Sequence, residues 1–345
     1  KAEHPEWLVG EPVKRTPVGR WSSVDYARPE IRELAFRFIE DVCRRYDIDG
    51  VELDYFRHPC FFRSVATGGR ASAEECGLMT GFMRRVRAMT EEVGLGRGRP
   101  ILISVRVPDS REYDLGLGLD VGRWMEEGLV DILITTCYFR LNPWEYSVAW
   151  GHGHGIPVYA CLSDSRVLGE TRFRRASVEA YRGEAMKAWA AGVDGIHVFN
   201  LFRPESPVFR DVGDVAVLRP LEKLYFVTVR DGKPGSFLKG GEEHQTLPML
   251  VPSRTIPVTV GAPLKTEIYI GEDLSWTEGT DRFPEVTLHV ELPLLCRPDQ
   301  VRVTLNGNPL GEGKLTEGGW LDLVVPAGVV RRGSNEIGVE VDEGK

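Results

Sequence analysis

Short apolar runs alternate with amphipathic stretches between residues 29 and 202. Apolar residues recur at helical spacing, for example at Ile31, Leu34, Phe38 and Val42, which predicts a helix that turns this face to the core. Five runs rich in Val, Ile and Leu begin near residues 50, 100, 131, 156 and 194, and each is separated from the next by a helical pattern. Strands that alternate with helices in this way are typical of parallel βαβ units with both faces covered.

The pattern changes after residue 230. Residues 231–253 are rich in Gly, Pro and charge and read as a linker, and from residue 254 onward short alternating strands follow one another without helices. Asn306-Gly307 is a strong two-residue hairpin signal between two of these strands. We therefore predict a domain of α/β units over 1–230, a linker over 231–253 and an all-β sandwich over 254–345.

The spacing of the five strands suits a closed barrel and an open doubly wound sheet alike. No G-x-G-x-x-G motif follows a strand, so a dinucleotide-binding sheet loses its main support. A complete (β/α)8 barrel needs roughly 250 residues, and five units do not close one. Because the chain begins with Lys1 and not with Met, the simplest interpretation is a partial TIM (β/α)8 barrel whose first units lie upstream.

Composition and charge exclude several classes of partner. The formal net charge of -8 argues against nucleic acid or an anionic membrane surface. No apolar run approaches the roughly 18 residues that a membrane span needs. The cysteines form no C-x-x-C pair, and His152 and His154 in a Gly-rich turn have no third ligand at a metal-binding spacing. We expect no metal and no cofactor, and the sequence leaves the oligomeric state open.

Candidate chemistry lies at the carboxyl ends of the strands, where parallel sheets place their sites. Glu52 and Asp54 are two residues apart on the first strand, so their side chains point to one face, whereas Tyr55 takes the other. Arg57 and Arg106 are the expected ionic partners of these acids. The alternative is that the two carboxylates only hold a buried arginine network.

Glycoside cleavage requires two carboxyl groups. Neighbours two residues apart approach a substrate from one side, so we expect a further acid from another strand end. His197 is interpreted as a structural histidine, because Asn200 lies nearer the end of the fifth strand. The predicted catalytic residues are Asp54, Glu52, Asp109 and Asp164, and the predicted substrate contacts are Arg57, Tyr55, Arg106, Tyr138, Asn200 and Trp144.

Three motifs resemble one known family. The segments His4–Leu8 (HPEWL), Tyr46–Pro59 (YDIDGVELDYFRHP) and Leu119–Asp131 (LDVGRWMEEGLVD) occur in the order seen in the glycosyl hydrolase-like family 10 barrels. The resemblance implies a (β/α)8 barrel that acts on or binds polysaccharide, and it favours a secreted or periplasmic location. By motif, Asp54 and Arg57 carry over, whereas Glu52 stands where relatives often have His or another polar residue.

The C-terminal strands resemble a second family. Asn306-Gly307 and the segment from Arg332 to Ile337 are similar to galactose-binding-like jelly-roll modules. Together, the motifs predict a glycoside hydrolase that cleaves O-glycosidic bonds in a polysaccharide or oligosaccharide. Two alternatives stay open: a non-catalytic glycan-binding protein, and a lytic transglycosylase acting on peptidoglycan.

Overall fold

The computed structural model describes residues 3–163, 167–227, 233–274 and 284–341. The chain forms two compact units that interleave along the sequence. The first unit comprises Lys1–Ser163, Gly192–Phe199 and Gly232–Leu247. The second comprises Asp164–Ala191, Asn200–Asp231 and Pro248–Lys345.

The first unit is built on a five-stranded parallel sheet with the strands in sequence order. Its strands are β1 (Gly50–Asp54), β2 (Leu102–Val107), β3 (Ile132–Thr135), β4 (Val158–Leu162) and β5 (Gly195–Val198). Each strand pairs in parallel with the next, and β1 and β5 are the two edges. This half-barrel sheet confirms the predicted partial TIM barrel.

Helices connect the strands, as the alternating pattern predicts. They are α1 (Pro29–Arg45), α2 (Arg63–Ala66), α3 (Ala73–Arg97), α4 (Arg111–Leu117), α5 (Val121–Glu126), α6 (Trp144–Gly153), α7 (Val178–Ala191), α8 (Pro207–Asp211) and α9 (Val215–Leu218). Their ends follow local chemistry: Asp120 accepts a hydrogen bond from the backbone of Arg123, and Ser72 and Glu75 form a capping box. Helix α9 ends at Leu218, two residues before Pro220, which cannot donate a helical hydrogen bond.

Side chains alternate between the two faces of the parallel sheet. Ile103, Val105 and Val107 are fully buried on the helix-covered face, which supplies most of the core of this unit. Tyr55 lies on that side too, where its hydroxyl donates a hydrogen bond to Sδ of Met83 at 3.1 Å. The opposite face, here called the concave face, carries polar side chains from β1, β2 and β5.

Helix α1 buries less of its apolar face than its sequence predicts. Ile31 and Phe36 are buried, but Leu34 is 44%, Phe38 67% and Val42 40% exposed. Helix α1 packs against α3 on one side. Because β1 is an edge strand, the far side of α1 lacks the equivalent neighbour that a helix over a central strand would have.

The second unit contains two antiparallel sheets. A four-stranded sheet has the order β6 (Leu264–Ile270), β12 (Gly333–Val341), β8 (Val301–Leu305) and β9 (Asn308–Pro309), and a three-stranded sheet has the order β10 (Lys314–Thr316), β11 (Trp320–Val324) and β7 (Thr287–Glu291). Apolar residues of both sheets share one core, among them Ile268, Val303, Leu305, Leu321, Leu323 and Ile337. Two sheets over a common core confirm the predicted sandwich.

Part of the predicted linker packs within the first unit. Two 3-10 turns occur there, Pro234–Ser236 and Gly241–His244. The hydroxyl of Tyr113 donates to the carbonyl of Pro234 at 2.7 Å. Within the described parts of the chain, no helix has the length and apolar character that crossing a membrane requires.

Candidate functional site

Asp54 is the last residue of strand β1, and its side chain stabilises the turn that follows the strand. Its Oδ1 accepts hydrogen bonds from the backbone N–H groups of Phe56 at 3.0 Å and Arg57 at 2.9 Å. Its Oδ2 accepts from Nη2 of Arg106 on the neighbouring strand. A carboxylate that bonds the backbone two and three residues ahead sets the direction in which the chain leaves the strand.

Arg106 contacts the carboxylates of both Glu52 and Asp54 on β1. The residue is 1% exposed, and its Nε lies 3.7 Å from Oε1 of Glu52 while its Nη2 bonds Asp54. Its guanidinium also stacks on the ring of Phe199 at 4.0 Å and donates to Sγ of Cys161 at 3.6 Å. A buried guanidinium is tolerated here because two opposite charges and an aromatic face surround it.

Glu52 forms a contact with the opposite edge of the sheet. Its Oε2 lies 3.1 Å from Nε2 of His197, which is on β5, four strands away. Side chains of two opposite edges meet only if the sheet curves strongly, so the contact between Glu52 and His197 spans the concave face. The hydrogen bond from His197 is the largest influence on Glu52 and, with the nearby charge of Arg106, outweighs the effect of burial, so the pKa of Glu52 is lowered.

Arg57 follows Asp54 and lies between two aromatic rings. Its Nη1 donates to the hydroxyl of Tyr138, and its guanidinium carbon lies 5.8 Å from the centre of the Tyr138 ring. The guanidinium carbon also lies 5.6 Å from the centre of the Phe199 ring. The Phe199 ring packs edge-on against the Tyr138 ring, with 5.7 Å between the two ring centres. Arg57 is exposed, whereas Tyr138 is buried, so the rings support a cation that faces solvent.

Asp109 is buried in a different setting. Its carboxylate accepts hydrogen bonds from the backbone N–H of Leu141 at 3.0 Å and of Asn142 at 2.8 Å. Burial raises the pKa of Asp109 to about 6, although these hydrogen bonds oppose the change. The carboxylate therefore anchors the loop after β3, and the structure does not bring it into contact with Glu52 or Asp54.

The other four predicted residues are Asp164, Tyr55, Trp144 and Asn200, and the three described ones each have their own setting. Asp164 is not among the described residues. Tyr55 contacts Met83 on the helix-covered face, and Trp144 is buried with the guanidinium of Arg140 over its ring at 5.1 Å. Asn200 belongs to the second unit, where it is exposed and adopts a φ of 58°.

Two residues that contact Glu52, Arg57 or Arg106 are not predicted as site residues from the sequence. His197 pairs with Glu52, although its sequence context suggests a structural histidine, and Phe199 contacts both Arg57 and Arg106. The available signal is the two-residue period of a strand. His197 pairs in register with Cys161, and Phe199 follows two residues later, so the same alternation that places Glu52 would place both of them on the concave face.

The chemistry available at this face is that of carboxylates and cations. One guanidinium contacts both Glu52 and Asp54, so the two carboxylates lie side by side on this face. Among the described residues, no group of three or more His, Cys, Asp or Glu side chains is arranged to hold a metal ion.

No family model matches the sequence, and no curated protein matches it either. The resemblance to the glycosyl hydrolase-like family 10 and to galactose-binding-like modules therefore stays a prediction. Several solved structures to which this chain is similar are glycoside hydrolases or chitinases, and another is the carboxyl transferase domain of a pyruvate carboxylase from Rhizobium etli.

Three of these structures illustrate how distant the similarity is. A family 18 N-acetylglucosaminidase from Paenibacillus barengoltzii is 13% identical, with a TM-score of 0.40 over 57% of this chain and 77% of that chain. A chitinase from Bacillus thuringiensis is 10% identical, with a TM-score of 0.38 over 92% and 75%. A class V chitinase from Nicotiana tobaccum is 14% identical, with a TM-score of 0.29 over 40% of this chain and 43% of its own length. Similarity at this level does not extend to activity.

Proposed function

We propose that the concave face is the active site of a glycoside hydrolase that cleaves O-glycosidic bonds in a polysaccharide or oligosaccharide. The observation that carries the proposal is the pair Glu52 and Asp54, held by one buried guanidinium at the carboxyl end of β1. Glycoside cleavage requires carboxyl groups on both sides of the scissile bond, and this pair would supply those on one side.

The two carboxylates have different roles in this proposal. Asp54 lies at the end of its strand and is the primary catalytic carboxylate. The lowered pKa of Glu52 keeps it ionised at neutral pH, which suits a base or an electrostatic partner and excludes it as the proton donor in this state. The opposing acid that the sequence predicts is Asp164, which lies outside the described residues.

A second function, non-catalytic glycan binding, is favoured by one specific observation. Both oxygens of Asp54 are engaged, one by two backbone N–H groups and the other by Arg106. A carboxylate whose two oxygens are both engaged has fewer free lone pairs to offer to a substrate. In that case the same face would hold a glycan without cleaving it.

The test is hydrolysis of a glycan panel by a protein containing this chain. The panel is treated with the unaltered protein, with Asp54→Asn, and with Asp49→Asn as a matched control at the exposed, opposite end of the same strand. We expect Asp54→Asn to lower the rate by about 100-fold or more and the control to leave it unchanged.

Product analysis separates the alternatives. Reducing sugars released by the unaltered protein indicate hydrolysis, whereas anhydro-sugars detected by mass spectrometry indicate a lytic transglycosylase. Binding without any product indicates the glycan-binding function. Equal rates for the unaltered protein and Asp54→Asn would remove Asp54 from the mechanism.

A further inference from the structure

We propose that Arg57 binds a carboxylate on the glycan, so that the substrate class is an acidic glycan. The inference rests on the proposed function, because it concerns the same concave face. It adds the chemical class of the ligand, which neither the two carboxylates nor the fold specifies.

The first argument is charge pairing. Glu52 and Asp54 are both paired, the former with His197 and Arg106 and the latter with Arg106. The guanidinium of Arg57, by contrast, has no carboxylate oxygen within 4.0 Å anywhere in the described ranges. The acids next to Arg57 are therefore held by other partners, and the guanidinium of Arg57 is left to attract an anion from solvent.

The second argument is orientation. Asp54 fixes the backbone of Arg57 by accepting its N–H, and the rings of Tyr138 and Phe199 lie against the guanidinium. A long side chain held in this way loses little further freedom when it binds a ligand. The site is thus organised before the ligand arrives, although Arg57 makes no ion pair within the described chain.

The third argument is the number of donors left over. A guanidinium carries five N–H groups in one plane, and the side chain of Arg57 uses one of them, toward the hydroxyl of Tyr138. The remaining fork matches the two oxygens of a carboxylate, which arginine binds with two parallel hydrogen bonds. Sugars carry such a group as a uronic acid or as an acidic ether substituent, and the recognition chemistry is the same for both.

The experiment compares matched probes that differ only in the acid. Binding is measured by titration calorimetry with oligogalacturonate, with muramic acid-containing glycan strands, and with the carboxyl-reduced form of each. We expect at least one acidic probe to bind about tenfold or more tightly than its reduced form, and raised salt to shrink this difference. The two acidic probes distinguish a uronic acid from an acidic ether substituent.

Variants assign the preference to one side chain. Arg57→Gln should abolish the difference between the acidic and reduced probes, Arg57→Lys should retain part of it, and Arg174→Gln, at another exposed arginine, should retain all of it. Circular dichroism of each variant checks that it folds. Equal binding of every acidic probe and its reduced form, or a preference that survives in Arg57→Gln, would overturn the inference.

The outcome is separable from that of the proposed function. An acid preference without hydrolysis overturns the hydrolase and leaves the role of Arg57 standing. Hydrolysis of neutral and acidic glycans at equal rates and affinities overturns the role of Arg57 and leaves the hydrolase standing.

Discussion

The concave face of the parallel sheet and the outer face of the three-stranded sheet use the same side-chain types. In the second unit, Asp322 accepts hydrogen bonds from Nη1 of Arg172 at 2.8 Å and pairs with Nδ1 of His289 at 2.7 Å. The ring of Phe173 lies 4.5 Å from that of His289 and 5.0 Å from that of Trp320. Carboxylate, arginine, histidine and aromatic rings thus occur together twice in one chain.

The difference lies in what each cluster leaves unpaired. Around Asp322, the arginine and one of the rings come from the segment that follows β4, and Thr171 of the same segment bonds Glu291 at 2.9 Å and Trp320 at 3.1 Å. These contacts are made within the chain and hold that segment on the sheet. On the concave face, the cluster satisfies its acids but leaves Arg57 exposed. Under the proposed function, the charged group without an ionic partner, and not the residue types alone, distinguishes the concave face from the cluster around Asp322.

The largest expected effect is the loss of Arg106. We expect Arg106→Gln to lower the free energy of unfolding by about 3 kcal/mol, because it leaves two carboxylates facing each other beside a buried polar side chain. Denaturant unfolding measures the change. A loss below about 1 kcal/mol would mean that the concave cluster is no more stabilising than an exposed ion pair.

The next effect concerns protonation. The pKa of Glu52 is lowered mainly by His197, so the stabilisation from this pair is complete above the usual pKa of a glutamate and is lost as pH falls through the lowered value. We expect His197→Gln to raise the pKa of Glu52, measured by NMR titration, and to move the acid loss of stability to higher pH. An unchanged pKa would show that Arg106 alone sets it.

A smaller effect is expected in the second cluster. The Arg172 side chain is 38% exposed, so Arg172→Gln should cost about 1 kcal/mol or less in unfolding free energy. Its local effect should be larger: faster hydrogen exchange in residues 167–175, with exchange in β1 and β2 unchanged. Unaltered exchange in this segment would contradict the view that the sheet face holds it.

The smallest effect on stability is expected at Arg57. Because its cation is exposed and has no ionic partner, Arg57→Gln should change the free energy of unfolding by less than about 0.5 kcal/mol. Thermal unfolding beside the Arg106→Gln variant gives the comparison. A large loss at Arg57 would mean that its contact with Tyr138 is structural, which would make the two clusters alike.

Local rules account for much of the fold. The five strands and most helices follow from apolar spacing and caps, and the hairpin at Asn306 and Gly307 follows from the left-handed backbone that both adopt, with φ of 52° and 76°. Strand β3 ends earlier than its apolar run, at Thr135, because Thr136 takes a φ of 70° that breaks the extended conformation. That departure depends on contacts with neighbouring strands, and a single apolar run does not encode it.

The candidate site is only half predictable for a related reason. Glu52, Asp54 and Arg106 are close in sequence or on adjacent strands, so alternation and pairing bring them together. The contact between Glu52 and His197 joins opposite edges of the sheet and depends on its curvature, which no local pattern reports. Asp109 follows a strand end as an active-site acid would, but its role depends on which backbone groups lie above it.

The most direct test of the account compares the aspartates of the two clusters. Hydrolysis of an acidic glycan is measured with the unaltered protein, Asp54→Asn and Asp322→Asn. The account predicts that Asp54→Asn loses about 100-fold or more of the rate, while Asp322→Asn stays within about twofold. Equal rates in the Asp54→Asn variant and the unaltered protein, or an equal loss in both variants, would contradict the assignment of the concave face as the active site.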